Sequence, residues 1–268
     1  MGTSNLYGGP KKAALLPHDY EPNGNSETDH APENPPIDEQ PEKENPELLP
    51  RVTWSSARRS MSDAVKNRTK GNVKRVISNY TKALGGHTSA TRQALKVRNT
   101  AGVIYSYFAG TPEAVRKKLE DAGVRFEGRT TNEIFRDICN LIAPVPNDLE
   151  DSLVNNALQK TFADIAADQN IDLSLLESFN EDLLQSLVGG LMKHYIFDKL
   201  IMQTEQTALK NCEHAASLRD LEKAIKQYID GIVDSVVPDL VKSGINPADF
   251  NRVLETLCDI SYQQMEDL

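Results

Sequence analysis

The chain has 268 residues, 39% hydrophobic and only 6% aromatic, with a formal net charge of −9. That length leaves room for one sizeable folded domain beside a long unstructured part. No apolar run approaches the roughly 18 residues of a membrane span, no basic-then-apolar leader opens the sequence, and Cys139, Cys212 and Cys258 are isolated and odd in number. The expectation is a cytoplasmic protein without disulfides and without membrane contact.

The charge is partitioned into blocks. Residues 11–50 carry ten acids against three lysines, residues 51–98 carry twelve Lys/Arg against Asp63 alone, and residues 99–268 carry twenty-eight acids against fifteen bases, giving −7, +11 and −13. A basic block inside an acidic protein must meet either its own acidic surface or an acidic partner.

The first ten residues, Met1 to Pro10, suit neither a helix nor a buried strand, yet they hold the apolar anchors Leu6 and Tyr7 that a solvated tail normally lacks. A frayed terminus is the ordinary reading of such a segment. The alternative is a recognition motif at 1–10 that another protein grips. Removal of Met1 before the small Gly2 exposes an α-amine whose ordinary pKa leaves a nucleophilic fraction near neutrality, and glycine brings no Cβ to obstruct a pocket. Thr3, Ser4, Leu6 and Tyr7 supply contacts, and Gly8-Gly9-Pro10 forces a turn or a break. Myristoylation also needs Gly2, but its pattern asks for Ser or Thr at the sixth position, where this chain has Leu6. A cut after Gly8 would instead present Gly9, whose conformation Pro10 restricts.

Residues 10–50 hold nine of the fourteen prolines among Glu, Asp and Asn, with no apolar periodicity. Residues 11–50 therefore read as a disordered, acidic linker, long enough to hold the motif tens of ångströms from a folded body. The basic segment at 51–90 follows. Trp54 stands beside Arg58-Arg59, with Ser60 or Ser62 as the expected cap of a short helix. Between Gly71 and Gly85-Gly86, the spacing of Val73, Val76, Ile77, Tyr80 and Leu84 predicts one helical face, ended by the glycine pair. Arg58, Arg59, Lys66, Arg68, Lys70, Lys74, Arg75 and Lys82 are the candidate nucleic-acid contacts of this segment. A docking helix for an acidic partner, a membrane-surface helix, or a helix packed on the acidic C-terminal body fit the same pattern.

From about Thr91 to the end, at 91–268, the chain reads as an all-α domain of roughly seven helices. Ala94, Val97, Ala101, Ile104, Tyr105 and Phe108 make one stripe that Gly110 stops. Thr111-Pro112 opens a short helix. Ile134, Phe135, Ile138, Leu141 and Ile142 stripe the next, with Pro144 and Pro146 ending it, and Leu149, Leu153, Ala157, Phe162 and Ile165 line another. Ser174 to Glu177 is a capping box. Residues 191–201 are apolar on nearly all sides and mark a central buried helix. Ser217 with Asp220 opens a long helix that Pro238 is expected to stop, and Asn246-Pro247 opens the last.

Catalytic motifs are missing from the sequence: no phosphate loop, no nucleophile elbow and no zinc-binding H-E-x-x-H. Cys212 and His214 are two apart, so on a helix they face different sides, and His194 reads as a satisfied core or boundary histidine, not a general base. The chain therefore reads as a substrate or adaptor, not an enzyme, with no metal or cofactor of its own.

With these residues in hand, the chain resembles the QatB component of the Qat bacterial anti-phage defence system. The likeness rests on Met1-Gly2-Thr3-Ser4, Tyr7-Gly8-Gly9-Pro10, Leu15-Leu16-Pro17, the Pro-rich spacer, Trp54-Ser55-Ser56-Ala57-Arg58 and the helical C-terminal half. The resemblance implies a system with three other parts: an ATPase (QatA type), an enzyme similar to 7-cyano-7-deazaguanine synthase (QatC type) and a TatD-like nuclease (QatD type). Synthases of that kind adenylate a deazaguanine carboxylate and pass it to an amine, so the implied acceptor here is the Gly2 amine. ATP and zinc would then belong to the partner enzyme.

Overall fold

The computed structural model describes residues 52–143, 145–167, 181–210, 215–242 and 244–268, all within one compact unit, and among them every regular element is an α-helix. The motif at 1–10, the linker at 11–50, the Ser174–Glu177 capping box, Cys212 and His214 lie outside the described residues.

Helix α1 (Trp54–Lys66) starts earlier than expected. Its cap is Thr53, whose side chain accepts from the Ser56 amide, whereas Ser60 and Ser62 sit mid-helix and turn their hydroxyls back to the Ala57 and Arg58 carbonyls. A cap needs extended backbone, and Thr53 has it (φ −94°, ψ 161°). Helix α2 (Lys70–Ala83) buries Val73, Val76, Ile77 and Tyr80, the predicted face, with Leu84 as its C-cap. Gly85 and Gly86, at φ 96° and 82°, return their amides to Lys82 and Thr81 in a Schellman closure that a side chain would strain.

The stripe expected from Ala94 is interrupted at its start. A short helix, α3 (His87–Gln93), precedes α4 (Leu95–Phe108), and the break falls at Ala94 (φ −83°, ψ 16°). Helix α5 (Pro112–Asp121) has Thr111 as N-cap and proline in its first turn, as the sequence predicts. Helix α6 (Thr131–Ile142) carries a full capping box from Thr130 and Glu133 and buries Cys139 on its core face, while Leu141 is only partly buried.

Helix α7 (Leu149–Ala167) leaves Leu149 exposed at its first position and buries Val154 and Leu158 besides the expected residues. The central helix is α8 (Glu181–Lys210), which packs against α7, α9, α1 and α4 and buries Leu191, Met192, Tyr195, Ile196 and Leu200. Helix α9 (Ala215–Leu240) contains Ser217 and passes through Pro238. Proline's fixed φ is helical and removes a single N–H, so two further residues follow before the end, and the buried Val236, Val237 and Val241 hold this last turn in the core. Helix α10 (Pro247–Glu266) packs on α2, α3, α4 and α9.

The basic segment belongs to this same core. Met61, Ala64, Val73 and Ile77 are buried with the later helices, and α1 lies along α8.

Candidate functional site

The eight candidate nucleic-acid contacts do not form one free face. Arg68 pairs with Asp220 at 2.7 Å, Arg75 with Asp63 at 3.2 Å, and Arg58 donates its Nε to the Gln203 carbonyl at 3.3 Å. Lys74 stands 5.9 Å from the Tyr228 ring centroid, and Lys82 donates to the Ser78 hydroxyl at 2.9 Å. Arg59, Lys66 and Lys70 are exposed, with no partner among the described residues. A small pocket of about 390 Å³ opens beside Arg68, Lys70, Gln227 and Tyr228.

The larger concavity lies elsewhere, between α7, α8 and α9, with a volume of about 710 Å³. Its charged lining is paired. His194 Nε2 meets Asp164 Oδ2 at 2.7 Å, Lys193 meets Asp234, and Lys226 meets Asp230 at 2.9 Å. Gly189 and Gly190 line one wall, and at Gly190 the helices come too close for a side chain: a Cβ there would stand 2.6 Å from Thr161 Cγ2, whereas one on Gly189 would meet Val237 at an ordinary 3.5 Å. Sequence reading treats His194 as a satisfied core or boundary histidine, and it is buried and bonded to Asp164. The groove itself is not read, although two adjacent glycines inside an apolar helix, each costing about 1 kcal/mol in helix propensity, signal a close approach.

A second polar cluster sits between α7 and α8, against the end of α3. Lys199, 4% exposed, donates to Glu150 at 2.8 Å and to the Tyr195 hydroxyl at 2.9 Å, and Tyr195 donates in turn to Glu150. Burial, followed by the neighbouring Tyr262 and Glu150, pushes the Tyr195 phenol well above its usual range. Such a phenol stays protonated and serves as a donor. Burial likewise pushes the Cys139 and Cys258 thiols up to about 12 each, which keeps both from acting as nucleophiles near neutrality. Among the described residues no group of His, Cys, Asp and Glu is arranged to hold a metal ion, and no helix is long and apolar enough to cross a membrane.

These features define an all-helical protein in which the paired ionisable groups tie helices to one another. A family model described as QatB, Qat anti-phage system associated protein QatB, matches residues 85–265, and the chain belongs to that family. Its role therefore lies in the Qat anti-phage system. The match spans the whole α7/α8/α9 groove and begins just after α2. No curated protein and no solved structure matches the chain.

Proposed function

We propose that this chain is a non-enzymatic, cytoplasmic component of the defence system and the protein substrate of its deazaguanine-synthase-like enzyme. The Gly2 amine, exposed on removal of Met1, attacks the adenylated carboxyl carbon of a 7-deazaguanine acid. AMP leaves, an amide forms, and the amine gives up a proton. Thr3, Ser4, Leu6, Tyr7 and the Gly8-Gly9-Pro10 break are read by the enzyme, and the helical body docks the other partners. The observation that carries this reading is the specified motif at Gly2 in a chain of this family. The mutual pairing of His194 with Asp164 and of Lys199 with Glu150 supports a structural role for the body.

Intact mass after co-expression with the partner enzyme tests it. The expected result is loss of Met1 and gain of one deazaguanine acyl group, with no gain when Gly2 is replaced by a bulky residue. An unmodified mass in the wild-type chain would sink the reading.

Exposed Arg59, Lys66 and Lys70 favour one second reading, an adaptor that presents phage DNA to the nuclease. Neutralising several phosphates makes affinity fall with salt at a log–log slope near −0.9 per contact on duplex DNA. Replacing these three residues with Gln should lower that slope by roughly 2 to 3 units, and salt-independent binding excludes the adaptor.

A further inference from the structure

The α7/α8/α9 groove has the volume of a ligand site, about 710 Å³ against the few hundred to a thousand typical of binding pockets. Its charge is arranged asymmetrically between floor and rim. In two of its three ion pairs the base is withdrawn and the acid open, His194 at 8% against Asp164 at 68% and Lys193 at 21% against Asp234 at 61%, while Lys226 and Asp230 are about equally exposed. Each base is already committed to one of these acids. Four carboxylates, Asp164, Asp182, Asp230 and Asp234, line the groove beside Lys193, His194 and Lys226. The groove therefore presents acceptors to an incoming group.

Two further features extend this. Pro238, on the groove wall, has no N–H to give the carbonyl of Asp234 one helical turn earlier, so that oxygen lacks its ordinary intrahelical donor. Beside the carboxylates lies the exposed Pro238, with the nearly buried Leu183 and Val237 behind it. An aliphatic stem ending in a cation matches this combination, because such a side chain lays its methylenes on apolar surface and carries its charge to an acceptor. An anionic ligand would meet like charge.

We propose that the groove between α7, α8 and α9 is the docking site for a basic peptide segment of a partner protein, with an arginine or lysine stem on Pro238 and its cation against the open carboxylates Asp164 and Asp234. This is independent of which atom of the chain is modified, and it gives the helical body a recognition surface of its own.

The test is fluorescence anisotropy with the full chain and a labelled octapeptide alternating arginine and serine. A glutamate–serine octapeptide and spermidine serve as comparison ligands. The arginine peptide should bind saturably at one site, and the glutamate peptide should not bind. Asp164→Asn with Asp234→Asn should weaken binding at least tenfold, whereas Glu113→Gln with Asp121→Asn, an equal loss of charge on exposed positions of α5, should change it less than twofold. Asp234→Asn alone leaves the His194 pair intact and should still weaken binding several-fold with an unchanged circular-dichroism melt. Equal losses in the two double variants would show attraction to acidic surface at large and overturn the proposal. Lack of saturable binding, or spermidine binding as tightly as the peptide, would overturn it too.

Discussion

Arg68, in the turn between α1 and α2, binds Asp220 on α9 across 2.7 Å. The contact joins the basic block to the acidic body of the same chain, and Lys74 over Tyr228 repeats the connection about two turns further along α9. Both partners of the ion pair are substantially exposed, with side-chain exposures of 44% and 60%, so screening limits it to the ordinary range for surface pairs, about 0 to 1 kcal/mol. The fully buried Ile77 holds α2 far more strongly. Arg68→Ala should therefore cost less than about 1 kcal/mol, and Ile77→Ala about 2 to 5 kcal/mol, both read from urea unfolding. A larger loss at Arg68 than at Ile77 would mean that charge, not burial, attaches the segment.

The Glu150–Lys199 pair belongs to the other regime. Lys199 is almost fully buried, so removing its acid leaves a cation without compensation. Glu150→Ala should cost about 3 kcal/mol or more. The double change Glu150→Gln with Lys199→Met, which removes both charges at similar volume, should cost less than that single change. A double variant less stable than Glu150→Ala would overturn this account.

Lys96 sits 2.5 Å from Asp148 and 2.6 Å from Asp151, joining α4 to the start of α7. The lysine holds both carboxyls below their usual range, helped by backbone amides, and the two hydrogen bonds raise the lysine in return. A depressed acid contributes stability that is present above its unfolded pKa, near 3.8, and that is lost as pH falls through the lower native value. A raised lysine contributes below its unfolded value of 10.5 and loses that contribution as pH rises through the native one. Wild type should therefore exceed Lys96→Met in stability across the window from about 4 to 10, with the gap closing on the acid side once both aspartates are protonated. Unfolding curves at pH 2, 4 and 7 check this, and a gap that widens toward pH 2 would contradict it.

Helices were legible wherever one face met the core over several turns. Val73 to Leu84 and Ile134 to Ile142 fall into this class, as do the starts at Thr111-Pro112 and Asn246-Pro247. Local signals misled where the deciding contact was tertiary. Nothing near Ala94 announces a break, and the short helix before it is anchored from far along the chain, His87 at its head being held by Glu266 at its amide and by Asp259 at its ring, more than 170 residues away. Pro238 signals a stop, yet packing of Val237 and Val241 carries α9 past it. The groove was invisible for the same reason, since its lining comes from 161–165, 182–194 and 226–238, three stretches that meet only in the fold. The charge blocks were legible as composition. Which acid each base would meet was not, because Arg68 and Asp220 are 152 positions apart.

Two helical glycines separate packing from propensity. Gly231 on α9 is exposed, with nothing within 4 Å of the position a Cβ would take, so Gly231→Ala should raise stability by about 0.5 to 1 kcal/mol through helix propensity and the smaller entropy of the unfolded chain. Gly190 carries the same propensity deficit, but its Cβ would press on Thr161 Cγ2 at 2.6 Å and Oγ1 at 3.2 Å. Thr161 is itself buried and bonded to the Ala157 carbonyl at 2.8 Å, so it cannot swing away without losing that bond. Overpacking of this kind costs about 1 to 3 kcal/mol, so Gly190→Ala should be destabilising on balance, and it should move α7 against α8 at the edge of the groove. Adding Thr161→Ala should recover most of the loss, because it removes the methyl and the hydroxyl that the new Cβ would meet. Thermal melts of the three variants decide the matter: if Gly190→Ala were stabilising like Gly231→Ala, the close approach of α7 and α8 would not be what keeps glycine at this position.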